Sequence, residues 1–313
     1  MIRHLRSLCD LDKPEMKRLI DLAIDVKANP DAYRDKLSGK SIATIYAKPS
    51  TRTRVSFEVG IYQLGAQALV LSKSGAGSMQ SARGETNADT AHVLSRYVDA
   101  IVIRTHDQRE IDELAEHATV PVINALSDAY HPCQALADVL TMRERFASPK
   151  DLKVVFVGPG NNVAHSLLLA GPRAGFEVVC ACPQNLPPDP DIYAVAEANA
   201  KALGTKVSLE HDVLVAVQGA RCVYTDTWVS MGQELEALQL HEQLRSYTVN
   251  SQVMQAAAAD AVFMHCLPAH RGEEVTPNVI DGPQSIVFDQ AENRLHAQKA
   301  LLMLLLGAEP WVQ

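Results

Sequence analysis

The sequence predicts an α/β protein of two domains, each built on a parallel sheet, and three observations point there. The chain has 313 residues, more than one hydrophobic core comfortably organises, so two domains of roughly 150 residues each are expected. Short β-branched or apolar runs alternate with longer helical patterns, the rhythm of strand, crossover helix and parallel strand. A polar stretch, Ala147-Ser-Pro-Lys-Asp151, interrupts that rhythm near the middle.

The elements follow in order. Lys13–Lys27 repeats apolar residues at helical spacing. Ser41–Ala47, Gln67–Leu71, Val98–Ile103 and Val120–Asn124 then read as strands, with Thr51–Leu64, Glu85–Tyr97, Asp107–His117 and Pro132–Phe146 as helices. Beyond the polar stretch a second series opens with strand Leu152–Val157. It continues through helix Asn162–Ala174, strand Glu177–Cys182, helix Ile192–Leu203 and strands Lys206–Leu209, Arg221–Tyr224 and Ala261–Met264. A final helix, about Gln290–Leu306, is long and apolar enough to pack back on the N-terminal domain. The expected organisation is two Rossmann-like domains: residues 1–147 with the C-terminal helix of about 290–313, and residues 148–289. No solenoid repeat or low-complexity tract is visible.

Composition narrows the function. Hydrophobic residues at 47% and charged residues at 21% are globular values. With 29 Lys plus Arg against 37 Asp plus Glu, the formal charge of −8 provides no basic field for nucleic acid. An anion must therefore be held by local arrangement. The N-terminus mixes charges among its apolar residues and reads as neither signal peptide nor anchor, and the apolar run Ala300 to Gly307 is far short of a span. Six cysteines without a CxxC pair suggest reduced thiols and a cytoplasmic protein with no membrane partner.

The segment Ser50-Thr-Arg-Thr-Arg54 lies between a predicted strand and helix. Hydroxyls, guanidinium groups and backbone N–H donors meet there at a helix N-terminus, which attracts phosphate. The alternative is a capping Ser or Thr beside solvated arginines. His131-Pro-Cys-Gln134 opens another helix, with Pro132 suited to the first helical position. His131 and Gln134 could both donate toward one carbonyl oxygen, or His131 could simply cap. Arg104 stands at a strand end, where ligands of open parallel sheets gather. In the second half, Gly158-Pro-Gly-Asn-Asn162 imitates a dinucleotide turn, but Val163 occupies the third glycine position and no acid ends the next strand. Asn162 is instead read as an amide for a small ligand. Asp226-Thr-Trp-Val-Ser-Met-Gly232 and His265-Cys-Leu-Pro268 each follow a strand. Asp226 can hold an ammonium group or form a turn, and Cys266 can handle protons or be a small buried hydrophobe.

Together, STRTR, a strand-end Arg, HPCQ, DTWVSMG and HCLP resemble the aspartate/ornithine carbamoyltransferase family, and the last two resemble its ornithine branch. The likeness covers nearly the whole chain, and HCLPAHRGEEV and VFDQAENRLHAQKA are its longest stretches. It implies a carbamoyl-phosphate domain followed by an ornithine domain. It also implies a homotrimer, or a multiple of trimers, with sites between neighbouring subunits. Carried over by motif, Ser50, Thr51, Arg52 and Thr53 would hold phosphate, and Arg104, His131 and Gln134 would address the carbamoyl end. Cys266, Leu267 and Arg294 would complete that pocket, and Gln80 in the glycine-rich loop Ser74–Gly84 would reach a neighbour's site. Asn162, Asp226, Ser230 and Met231 would bind ornithine. Ala47, where an acid is common, and Pro159, where GDGNN is usual, depart from the pattern.

The implied reaction moves the carbamoyl group of carbamoyl phosphate to the δ-amine of ornithine, giving citrulline and phosphate for arginine metabolism. It calls for no cofactor and no metal. Arg104 and His131 would stabilise the developing oxyanion, while Asp226 and Cys266 would orient the amine. A related acceptor such as acetylated ornithine or putrescine is the nearest alternative, since one loop contact could change the choice. An aspartate acceptor would need basic groups where DTWVSMG supplies an acid. A nicotinamide oxidoreductase is disfavoured by the broken glycine fingerprint, and a non-catalytic anion binder would bind carbamoyl phosphate without making citrulline.

Overall fold

A computed structural model describes residues 2–47, 50–72, 84–146, 148–229 and 237–311. Two compact units divide the chain, Met1–Leu140 with Asn293–Gln313, and Thr141–Glu292.

The first unit opens with α1 (Lys13–Ala28), started by a reciprocal capping box between Asp12 and Glu15. Four strands follow, β1 (Ser41–Tyr46), β2 (Gln67–Ser72), β3 (Ala100–Arg104) and β4 (Val122–Leu126). Between and after them run α2 (Thr51–Gln63), α3 (Asn87–Leu94), α4 (Gln108–His117) and α5 (Pro132–Phe146). All pairings are parallel and the strand order is β2-β1-β3-β4. Every residue of β3 is buried, which is why it reads as an unbroken apolar run, whereas edge strand β2 is partly exposed. Strand β4 begins two residues later than the sequence suggests, because Pro121 has no N–H to give the ladder.

The second unit carries β5 (Lys153–Val157), α6 (Asn162–Ala174), β6 (Glu177–Ala181), α7 (Pro190–Leu203) and β7 (Val207–Glu210). After them come α8 (Val213–Ala216), β8 (Cys222–Thr225), α9 (Ala237–Leu244), α10 (Ser251–Ala256), β9 (Val262–His265) and α11 (Pro277–Ile280). Its five strands are also all parallel, in the order β7-β6-β5-β8-β9. The final helix, α12 (Val287–Leu305), starts three residues before the expected Gln290, and its stretch from Asn293 onward belongs to the first unit.

The strand order of each sheet reverses once, between β1 and β3 in the first unit and between β5 and β8 in the second. Ligands of open parallel sheets bind outside the strand carboxyl ends at such a reversal. Those ends lead into Ser50 and Arg104 in one unit, and into Asn161 and Asp226 in the other. No helix of the described residues is long and apolar enough to cross a membrane. All six cysteines are free thiols.

Candidate active site

In the first unit, Ser50 caps α2, its Oγ accepting from the Thr53 N–H at 3.2 Å. The first turn of α2 thus presents Thr51, Arg52 and Thr53 at the positive end of the helix dipole. Exposed Arg54 turns away to the half-buried Glu58, with Nε–Oε1 at 2.6 Å, so the second arginine of STRTR belongs to a helix-surface pair and not to the anion cluster.

Arg294 is the hub of this cluster. Its Nη1 donates to Gln134 Oε1 at 2.7 Å and its Nη2 to Thr53 Oγ1 at 3.2 Å, all three residues being buried. The Gln134 amide in turn donates to buried Asp138 Oδ1 at 2.9 Å, which leaves one amide N–H for a ligand. Arg104 ends β3 at a register irregularity and is itself buried. His131 starts α5, its carbonyl accepting from the Gln134 and Ala135 N–H groups at 3.0 and 3.2 Å. Burial holds the His131 pKa well below the usual imidazole value, and the guanidinium groups of Arg294, Arg104 and Arg52 depress it further. A neutral imidazole therefore faces three guanidinium groups, an environment that an incoming dianion would relieve. Cys133 takes no part: its thiol donates to the Asn124 carbonyl at 3.3 Å, and burial pushes its pKa up to about 12.

The depressed His131 pKa has a consequence for stability. Below about pH 6.5 the unfolded chain takes up a proton that folded His131 refuses, so stability present above that pH is lost as pH falls. Between about pH 6.5 and 5.5, His131→Gln should unfold with a pH slope smaller by up to about one proton. Denaturant titrations at several pH values read this directly, and identical slopes would contradict a neutral His131.

In the second unit, Asp226 follows β8 and is buried at 8% exposure, yet it is well supplied with donors. Asn161 Nδ2 donates to its Oδ2 at 2.8 Å, while the Cys266 thiol and the Thr227 N–H donate to its Oδ1 at 2.9 and 2.8 Å. Adjacency of β8 and β9 brings Cys266 to Asp226 across 40 residues of sequence. Asn161 also caps α6 by accepting from Val163 and Ala164, each at 3.0 Å. Asn162, the residue singled out from sequence, is the first residue of α6, and its carbonyl accepts from the Ser166 hydroxyl at 2.8 Å.

A chain of buried groups holds the segment that carries Cys266. The Leu267 N–H donates to His265 Nδ1 at 2.8 Å, which leaves Nε2–H of the same ring to donate to Glu274 Oε1 at 3.1 Å. The His265 N–H donates to Gln290 Oε1 at 2.9 Å, and Gln290 Nε2 donates to the Tyr224 hydroxyl at 3.0 Å. Leu267 needs such support, because its φ of 58° lies in the left-handed region, where a side chain costs roughly 1–2 kcal/mol. Asp226, His265 and Cys266 come close enough together to suit a metal ion. Both His265 ring nitrogens already serve other partners, however, so ligation would break a hydrogen bond.

The glycine turn also has a structural explanation. A Cβ on Gly160 would meet Pro188 N at 2.1 Å and the Pro187 carbonyl carbon at 2.4 Å. Backbone, not a pyrophosphate, fills the space beside it. Gly160→Ala should lower stability by roughly 1–3 kcal/mol through overpacking, measured by chemical denaturation, and a neutral result would contradict the close approach.

The family model for the aspartate/ornithine carbamoyltransferase carbamoyl-P binding domain matches residues 3–144, and that for the Asp/Orn binding domain matches residues 150–305. The chain belongs to the aspartate/ornithine carbamoyltransferase family. Among curated carbamoyltransferases, the ornithine carbamoyltransferase of Symbiobacterium thermophilum is 53% identical over 307 residues, covering 97% of this chain and 98% of the relative. The anabolic ornithine carbamoyltransferase of Pyrococcus furiosus is 55% identical over 271 residues, 87% of this chain and 85% of the relative. Among solved structures, ornithine carbamoyltransferase from Pyrococcus furiosus superposes with a TM-score of 0.93 at 51% identity, covering 98% of each chain.

Of the residues carried over from the carbamoyltransferase motifs, the first unit brings together Ser50, Thr53, Arg52, Arg104, His131, Gln134 and Arg294, with Thr51 beside them on α2. The second unit joins Asp226 to Cys266, with Leu267 next in the chain. Gln80, Ser230 and Met231 lie outside the described residues. Sequence reasoning missed Asn161, His265, Glu274 and Gln290. All four stand inside quoted motifs, and their weight comes from buried hydrogen bonds that spacing does not reveal.

Proposed function

We infer that the protein transfers the carbamoyl group of carbamoyl phosphate to the δ-amine of L-ornithine, forming L-citrulline and releasing phosphate. The observation that carries this reading is the hydrogen bond from Cys266 Sγ to Asp226 Oδ1 at 2.9 Å. It sets an acid and a thiol together where an aspartate acceptor would need cations and an amine acceptor needs a carboxylate.

The first unit takes the donor. Phosphate oxygens are assigned to the α2 N-terminus through Ser50, Thr51, Arg52 and Thr53, and the carbamoyl oxygen to Arg104, His131 and Gln134, with Arg294 bracing both groups. Attack by the amine builds negative charge on that oxygen, and preorganised donors stabilise it. The second unit takes the acceptor. An alkyl amine resembling Lys has a reference pKa of about 10.4, so its δ-ammonium must lose a proton before it can attack. Asp226 is assigned to the α-ammonium and to orientation. Cys266 positions the δ-amine, and its thiol can pass a proton toward Asp226. A thiol already donating to a carboxylate is not a free thiolate, so direct displacement is favoured over a carbamoyl-cysteine. Leu267, Asn162, Ser230 and Met231 are assigned to substrate contacts on the strength of motif alone.

The test is product formation by the purified chain with carbamoyl phosphate and a panel of acceptors: ornithine, acetylornithine, putrescine and aspartate. Citrulline from ornithine at the highest kcat/KM is expected. Preference for another acceptor would overturn the assignment, and binding of carbamoyl phosphate without any product would identify an anion-binding protein.

The family resemblance further supports a cytoplasmic homotrimer, in which Gln80 enters a neighbour's site. The anabolic name of the Pyrococcus furiosus relative supports a place in arginine biosynthesis. Sedimentation at the mass of three chains is expected, and a monomer with full activity would exclude the Gln80 assignment.

A further inference from the structure

A second group of ionisable side chains lies in the same unit as Asp226 but outside the proposed chemistry. The turn after Pro268 carries His270, Glu273 and Glu274, and α9 carries His241. Glu273 Oε2 is 3.6 Å from His241 Nε2 and 3.6 Å from His270 Nδ1. Glu274 Oε2 is 4.0 Å from His270 Nδ1. The ligand atoms of His270, Glu273 and Glu274 all lie within 4.8 Å of one another.

Glu274 makes this more than a surface cluster. Its side chain is 0% exposed. Oε1 is fully occupied, accepting from the His270 N–H at 2.6 Å and from His265 Nε2 at 3.1 Å. Oε2 is equally buried and accepts no hydrogen bond. A buried carboxylate oxygen left without a donor is costly, and a cation is the partner that would compensate it. The neighbouring side chains offer the means: the His270 imidazole and the Glu273 carboxylate lie within reach of it, and His241 stands next to Glu273. The His241 ring is steadied edge-on by Trp228, with centroids 5.7 Å apart.

We propose that His270, Glu273 and Glu274 form a site for a divalent transition metal such as Zn²⁺, with a solvent molecule as the fourth ligand and His241 beside Glu273. Four nitrogen and oxygen ligands at about 2.0–2.1 Å in a tetrahedron would stand about 3.3 Å apart. The His270–Glu273 and His270–Glu274 spacings of 3.6 and 4.0 Å close to that value with small side-chain movements. A set of imidazole and carboxylates without thiolate suits Zn²⁺, Co²⁺ or Ni²⁺ better than Ca²⁺ or Mg²⁺. Such an ion would also brace the active-site segment, since the other oxygen of Glu274 holds the His265 ring that receives the Leu267 N–H.

The rival account is an imidazolium at His270 that pairs with both glutamates and needs no metal. A second rival is metal capture at Cys266. Both are distinguished by titrating chelator-stripped, untagged full-length Cys266→Ala with Zn²⁺ by calorimetry and with Co²⁺ by absorption spectroscopy. One equivalent of each ion should bind, the Co²⁺ form showing weak tetrahedral d–d bands without an intense sulfur charge-transfer band. His270→Ala should weaken Zn²⁺ binding by about 100-fold or more. His241→Gln, a milder change beside Glu273, serves as the second variant and should shift the d–d spectrum. No binding to Cys266→Ala, or binding unchanged in His270→Ala, would overturn the proposal.

Discussion

Arg104→Gln should lower kcat for carbamoyl transfer by about 10²–10³-fold, or about 2.7–4 kcal/mol of barrier, with both substrates saturating. Arg104 is buried at the carboxyl end of β3, beside the strand reversal, where its field is poorly screened by water. Burial and the nearby guanidinium groups hold the His131 pKa well below the usual imidazole value, so the imidazole can contribute a hydrogen bond but not a full charge. Under the proposed assignment, the guanidinium then supplies most of the positive potential at the carbamoyl oxygen. Gln retains a donor without the charge, so a large residual deficit would separate electrostatics from simple hydrogen bonding. A kcat within threefold of the parent would remove Arg104 from the transition state.

Asp226→Asn should raise the ornithine KM by about 30-fold or more, which corresponds to about 2 kcal/mol, the lower end for breaking a buried charged pair. The substitution keeps shape and retains an acceptor oxygen for Thr227 or Cys266, while removing the negative charge that an ammonium requires. Carbamoyl phosphate binding should change little, because Asp226 is assigned to the acceptor alone and the groups assigned to the phosphate belong to the first unit. Steady-state kinetics with each substrate varied in turn separate the two effects. An equal loss for both substrates would contradict the division of labour.

Much of this architecture was legible before any coordinates. Strands β1, β3, β5 and β8 are buried in parallel sheets, so their apolar runs stand out against amphipathic helices. The helices α8, α9, α10 and α11 were not foreseen. They span 4, 8, 6 and 4 residues, too few turns for a helical period to declare itself. The site was legible in its parts but not in its partnerships. STRTR and HPCQ mark helix starts, yet nothing local signals that Arg294 would clasp Thr53 and Gln134 from 241 and 160 residues away. Similarly, DTWVSMG and HCLP each suggest a loop, while the Cys266–Asp226 bond depends on β9 lying next to β8. Sequence singles out Asn162 of the tandem asparagines, yet folding also sets the Asn161 amide on Asp226 while its carbonyl oxygen caps α6.

Calorimetric titration of fresh carbamoyl phosphate into the parent protein, Arg52→Ala and Asp226→Asn tests the central assignment most directly. The donor should bind the parent and Asp226→Asn with comparable affinity and fail to bind Arg52→Ala. Unaltered affinity in Arg52→Ala would show that the phosphate is held somewhere other than the N-terminus of α2.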